Sequence, residues 1–234
     1  MASTAPRPIL YPLFLSLEGR RCLVAGLGDV GRRKLAGLLA CGPASVLVLD
    51  TRRAEQLSDE AVALLADPRV LFECRSCAPA DVRDRTLVFA ATGNAGENAR
   101  IAALCREAGI LCNCASAPDL GAFSVPAVAR RDGLAAALST GGASPALARR
   151  WRHELEHWLA PRARMVRLMG RLRPLVLALH AETGQNTRLF RALAASPLQN
   201  WLAEGDLESC RRWLLAELPP VLHVHIAELL DDLA

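Results

Sequence analysis

Cys22-Leu23-Val24-Ala25-Gly26-Leu27-Gly28-Asp29-Val30-Gly31 is an apolar run that breaks into a Gly-x-Gly-x-x-Gly turn. An apolar run followed by this spacing predicts a strand, a tight turn and a helix. Gly26 permits the turn, Gly28 lets the backbone come close to a diphosphate, and Gly31 lets the helix pack on the sheet. The free N–H groups at the start of that helix would face the phosphates. A second apolar run, Val46 to Leu49, ends in Asp50, 19 residues beyond Gly31. A carboxylate at this distance is placed to accept hydrogen bonds from the adenosine ribose hydroxyls, which favours NAD over NADP. Arg52 and Arg53 follow at once and could hold a 2′-phosphate instead.

Working outward, strand and helix signals alternate through the first half, as in a parallel sheet with crossover helices. Further strands are expected near Val70 to Phe72, over Thr86 to Ala91 and over Ile110 to Asn113, with a helix from about Ala95 to Ala108 stopped by Gly109. Thr92 then lies at a strand end beside the first turn. After Pro118 the pattern changes to two strands, Phe123 to Ala129 and Leu134 to Ser139, joined through Arg130-Arg131-Asp132-Gly133. Ser144 is placed to cap a helix with Pro145 in its first turn, and from there the chain reads as helical. Pro174, Gly184, Pro197, Gly205 and Pro219-Pro220 are expected to cut it into short helices.

The 234 residues and 52% apolar content suffice for one Rossmann-like domain and a smaller second unit. The segment Ile9 to Leu17 is short and interrupted by Pro12, so neither a signal peptide nor a membrane span is expected. Eight cysteines without a secretory signal point to reduced thiols in the cytoplasm. With 28 basic against 24 acidic residues and 4% aromatics there is no broad cationic face for nucleic acid. Among the 28, only Lys34 is a lysine, and arginine forks suit carboxylates and phosphates.

Several segments together resemble the precorrin-2 dehydrogenase / sirohydrochlorin ferrochelatase family, the N-terminal module of siroheme synthase. They are Tyr11-Pro12-Leu13-Phe14, Gly26 to Val30, Ala90-Ala91-Thr92, Asn113 to Phe123, Val125-Pro126-Ala127 and Ser139 to Arg149. The resemblance implies an α/β fold with three parts. Residues 1–117 form an NAD-binding Rossmann-like parallel sheet, residues 118–160 a small strand-containing dimerisation region, and residues 161–234 a helical C-terminal domain. It implies a cytoplasmic homodimer that uses NAD to oxidise precorrin-2 to sirohydrochlorin, with ferrous iron insertion in many members. The coenzyme is then expected on Gly26, Gly28, Asp29, Val30, Asp50, Thr51 and Thr92. The carboxylates of the tetrapyrrole are expected near Thr140, Gly141, Arg149 and Arg150. A family serine before the Gly-Gly pair is replaced here by Thr140, which keeps a hydroxyl.

The chain departs from the family at Asn113-Cys114-Ala115-Ser116-Ala117-Pro118, where Ser116 stands in place of an aspartate considered the catalytic acid/base. An unassisted hydroxyl is a poor proton acceptor near neutral pH. Three readings follow: Asp119, three residues on, reaches the site; dehydrogenation needs little help from a base; or one or both activities are weakened. The alternatives to a dehydrogenase are therefore an NAD-binding regulatory homologue and a chelatase alone.

Other motifs carry less. His153-Glu154-Leu155-Glu156-His157 matches the zinc-protease pattern, but Leu147, Trp151, Leu155, Trp158 and Leu159 form one apolar helix face and the histidines fall opposite it. Cys74-x-x-Cys77 and Cys112-x-Cys114 lack the partner pairs of a zinc ribbon. His223 and His225 lie about 200° apart on a helix, which disfavours one shared metal. No metal site is expected.

Overall fold

A computed structural model describes residues 9–179 and 183–233. The chain divides into two compact units, residues 10–125 and residues 126–234.

The first unit is a five-stranded parallel sheet in the order β3-β2-β1-β4-β5. Its strands are β1 (Arg21–Ala25), β2 (Ser45–Asp50), β3 (Val70–Cys74), β4 (Leu87–Ala90) and β5 (Leu111–Cys114). The crossovers carry α1 (Asp29–Leu39), α2 (Asp59–Leu65) and α3 (Ala95–Glu107). The middle strands are buried on both faces, which is why they read as unbroken apolar runs and not as alternation. Side chains still leave each strand alternately. Cys22, Val24, Val46, Val48 and Phe89 pack with Leu35 and Leu38 of α1 on one face. Leu23, Leu47, Leu49 and Val88 pack with Ile101 and Cys105 of α3 on the other. Burying one such leucine side chain contributes about 1.5–3 kcal/mol.

The order reverses between β1 and β4, so the carboxyl ends of these two strands open a crevice. Helix caps follow the sequence: Ser58 accepts from Ala61 at the start of α2, and Asn94 accepts from Glu97 at the start of α3.

The second unit opens with an antiparallel hairpin, β6 (Ala127–Arg131) and β7 (Leu134–Leu138). The first of these strands starts four residues later than expected and takes in both arginines. Pro126 offers no N–H to a ladder, and the turn needs only Asp132 and Gly133, both at positive φ (43° and 85°). Ser144 caps α4 as expected, accepting from the Leu147 amide at 3.2 Å.

Helix α4 (Pro145–Ala178) runs for 34 residues, straight through Pro161 and Pro174. The expected break at Pro174 is overridden by packing. Leu168, Leu172 and Val176 form one buried stripe, against which α5 (Thr183–Ala195), α6 (Leu198–Glu204), α7 (Leu207–Glu217) and α8 (Ile226–Leu230) close a leucine-rich core. Gly184 sits inside the first turn of α5 without ending it, while Gly205 closes α6 in the left-handed conformation. Among the described residues no helix is long and apolar enough to cross a membrane.

Candidate functional site: the crevice over the glycine turn

The turn after β1 is shut on two sides by backbone. Gly26 sits at φ 90°, and a Cβ built on it would lie 2.5 Å from the Ala91 carbonyl oxygen at the end of β4. A Cβ on Gly31 would fall on the Gly26 carbonyl oxygen. Two glycines are thus required by close approach of β1, β4 and α1. Gly28 differs, because a Cβ there meets nothing within 4 Å. It is the N-cap of α1 and supplies no side-chain cap, so the leading amides of that helix lack a side-chain acceptor where Gly28, Asp29 and Val30 line open space.

That space is a cavity of about 700 Å³, within the range of small-molecule sites. Gly26, Gly28, Asp29, Val30, Asp50, Thr51 and Thr92 all line it. The uncapped helix N-terminus above a glycine that leaves room for a ligand fits the diphosphate of a dinucleotide.

Asp50, at the carboxyl end of β2, is buried and saturated with donors. Its Oδ2 accepts from the Leu27 amide at 2.7 Å and from Arg52 Nη2 at 2.9 Å. Its Oδ1 accepts from the Arg52 amide at 2.9 Å and Arg52 Nε at 3.0 Å. Burial pushes the carboxyl pKa up, but the Arg52 side chain and the two backbone amides together outweigh it and hold the group below its ordinary value. The sequence spacing located this acid; nothing in it signalled that Arg52 would fold back upon it.

Ser116 belongs to the same unit. Buried Asn98 of α3 donates from Nδ2 to Ser116 Oγ at 3.1 Å and to the Thr92 carbonyl at 3.1 Å. Its Oδ1 accepts from the Thr92 amide at 2.9 Å and the Thr92 hydroxyl at 2.7 Å. One amide side chain, not singled out from the sequence, therefore ties the cavity wall at Thr92 to the end of β5 at Ser116. Asp119 lies exposed on a short 3₁₀ turn, Pro118–Leu120, with no hydrogen bond or ion pair among the described residues.

The remaining candidates sit in the second unit, around the start of α4. The Thr140 hydroxyl accepts from the Ser144 amide at 3.3 Å, and Gly141 is held at φ 59°. Arg149 is exposed, and Arg150 donates to Glu154 at 3.0 Å. His153 pairs with Glu156 at 3.0 Å, not with His157, so the protease-like motif is part of a polar helix face. Its apolar counterpart is less covered than the sequence suggests, since Leu147, Trp151 and Trp158 keep 41%, 39% and 52% of their surface.

Cys112 and Cys114 are buried in the sheet core, where the Cys112 thiol meets Cys105 of α3. Hydrogen bonding to that neighbour and burial raise the Cys105 pKa. Cys74 is exposed, and Cys77 is buried, its thiol pushed up to about 11 by desolvation.

Comparison with known proteins agrees with this geometry. A family model described as NAD(P)-binding matches residues 13–127. The chain is similar to siroheme synthase of Nitrosospira multiformis, 30% identical over 209 residues that make up 88% of this chain and 44% of that one. Siroheme synthase of Thioalkalivibrio sulfidiphilus is 33% identical over 205 residues, 87% of this chain and 41% of its own. Over most of its length the chain is thus similar to siroheme synthases, and its first half matches an NAD(P)-binding domain. It spans less than half the length of the siroheme synthases it matches. A solved structure of SirC, a precorrin-2 dehydrogenase, shares the fold with a TM-score of 0.66 at 23% identity, over 81% of this chain and 92% of that one.

Proposed function

We propose that the chain is an NAD-dependent precorrin-2 dehydrogenase, acting as a cytoplasmic homodimer in the formation of sirohydrochlorin. The observation that carries this reading is the uncapped start of α1 above the glycine turn, opening into a cavity beside a buried carboxylate.

In that reading the α1 amides after Leu27 hold the diphosphate and Asp50 lies beside the adenosine ribose. NAD⁺, when bound, supplies the hydride acceptor. The substrate gives up a hydride and a proton. Ser116 receives the Asn98 hydrogen bond and meets the Cys114 thiol at 3.8 Å, so its hydroxyl can orient a polar group of the tetrapyrrole without acting as a base. The proton of dehydrogenation then leaves to water. Insertion of ferrous iron as a second substrate would displace two pyrrole protons, so a missing carboxylate at residue 116 weighs more on chelation than on dehydrogenation. We therefore read the chain as a dehydrogenase first.

Thr140, Gly141, Arg149 and Arg150 are the residues we propose for the substrate carboxylates, by charge-assisted hydrogen bonds from exposed arginines at the start of α4. Residues 118–160 are the proposed dimer region. Its support is the apolar stripe of Leu147, Trp151 and Trp158 left uncovered on α4. Sedimentation of the purified protein tests the dimer, with Trp158→Glu expected to give monomers.

Anaerobic incubation with precorrin-2 and NAD⁺ tests the activity. Equimolar NADH and sirohydrochlorin are expected. Coenzyme binding without either product would instead favour a regulatory homologue, a reading that the serine at residue 116 keeps open.

A further inference from the structure

Arg52 occupies the place where the adenosine ribose hydroxyl would find its acceptor. An ionised carboxylate offers about four lone-pair sites. On Asp50 all four are taken, one by the Leu27 amide and three by Arg52 through its amide, Nε and Nη2. The Leu27 and Arg52 amides are fixed by the turn and the strand end. Only the guanidinium can be displaced, and its side chain is 45% exposed beside the cavity. A coenzyme with a free 2′-hydroxyl must therefore break a bidentate ion pair to reach Asp50. One carrying a 2′-phosphate meets a carboxylate already neutralised and the Nη1 side of the guanidinium, which makes no hydrogen bond among the described residues.

The neighbouring arginines do not offer the same service. Arg75 lines the cavity, but its Nε is bound to Glu73, its Nη1 to Asp81 and the Ser76 carbonyl, and its Nη2 to Asp81. Arg53 starts the 3₁₀ turn Ala54–Gln56, giving its amide to Gln56 Oε1 at 2.8 Å, and does not line the cavity.

We infer that Arg52 sets coenzyme selectivity, and that through it the chain accepts a 2′-phosphorylated dinucleotide, NADP⁺, about as well as NAD⁺. This rests on the coenzyme reading of the crevice above.

The test is equilibrium binding of NAD⁺ and NADP⁺ by calorimetry, in the wild-type protein and in Arg52→Ala and Arg52→Lys. The side chain is half exposed, so folding is expected to survive, and thermal unfolding of each variant checks it. The wild type is expected to bind the two coenzymes with Kd values within about tenfold of each other. Arg52→Ala should weaken NADP⁺ by about tenfold or more while leaving NAD⁺ unchanged or tighter, because Asp50 is released. Arg52→Lys, which keeps the charge and loses the fork, should fall between. A wild-type preference for NAD⁺ beyond tenfold, or an Arg52→Ala variant with undiminished NADP⁺ affinity, overturns the inference and leaves the coenzyme reading intact. Binding of neither coenzyme to the folded wild type overturns both.

Discussion

Asn98 and Ser116, 18 residues apart and on different elements, are joined by a 3.1 Å hydrogen bond from Nδ2 to Oγ. The remaining amide capacity of Asn98 is spent on Thr92, so a single buried side chain holds the end of β4 against the end of β5. Asn98→Ala leaves the Thr92 amide without its acceptor and is expected to cost about 2–3 kcal/mol. Urea unfolding measures this. The mutant should also bind coenzyme more weakly, because Thr92 lines the cavity.

Ser116→Asp places a carboxylate where the Asn98 amide can donate to it. A positioned base is worth roughly 10²–10⁴ in a step limited by proton removal. Iron insertion into sirohydrochlorin is expected to rise at least tenfold in this variant, with NADH formation changing far less. Ser116→Ala should leave the dehydrogenase rate within about threefold of wild type. Unchanged chelation in Ser116→Asp would remove the grounds for regarding the serine as a handicap.

Gly26→Ala forces a side chain onto the Ala91 carbonyl at a backbone φ of 90°. Strain at positive φ alone is about 1–2 kcal/mol, and overpacking adds about 1–3 kcal/mol. Calorimetric unfolding should show a loss of about 2–5 kcal/mol together with lost coenzyme binding. Gly28→Ala separates the two effects: the space over Gly28 is empty, so stability should hold while coenzyme affinity falls.

Acid should loosen the first unit at its paired carboxylates. The hydrogen-bonded Arg75 guanidinium holds Asp81 below its ordinary pKa, and Asp50 is held down by its donors against burial. A carboxyl group whose folded pKa lies below the unfolded value of about 3.9 contributes stability above that pH and loses it as the pH falls through the folded value. Melting temperatures are thus expected to be flat from neutrality to about pH 4 and to drop below it. Asp81→Asn should be less stable at neutral pH and show a shallower acid slope.

Much of the first unit was legible because its signals are local. Apolar runs marked β1 and β2, glycine spacing marked the turn, and Asp50 stood where a strand end should carry an acid. The fold-back of Arg52 and the reach of Asn98 were not legible: the first, onto Asp50 two residues earlier, leaves no periodic trace, and the second depends on side chains meeting across elements 18 residues apart. In the second unit Pro174 was a misleading stop. Local cost at a proline was outweighed by the buried stripe of Leu168, Leu172 and Val176, which only the tertiary core explains. The apolar face of α4 was visible as a pattern, yet sequence periodicity cannot tell a core face from one left uncovered, as Trp158 is.

Hydrogen–deuterium exchange with and without saturating NAD⁺ most directly probes whether a dinucleotide lies on the glycine turn. Slower exchange is predicted for the amides of Gly28 to Gly31 and of Gly93. Unaltered exchange in these segments, or protection confined to other parts of the chain, would contradict it.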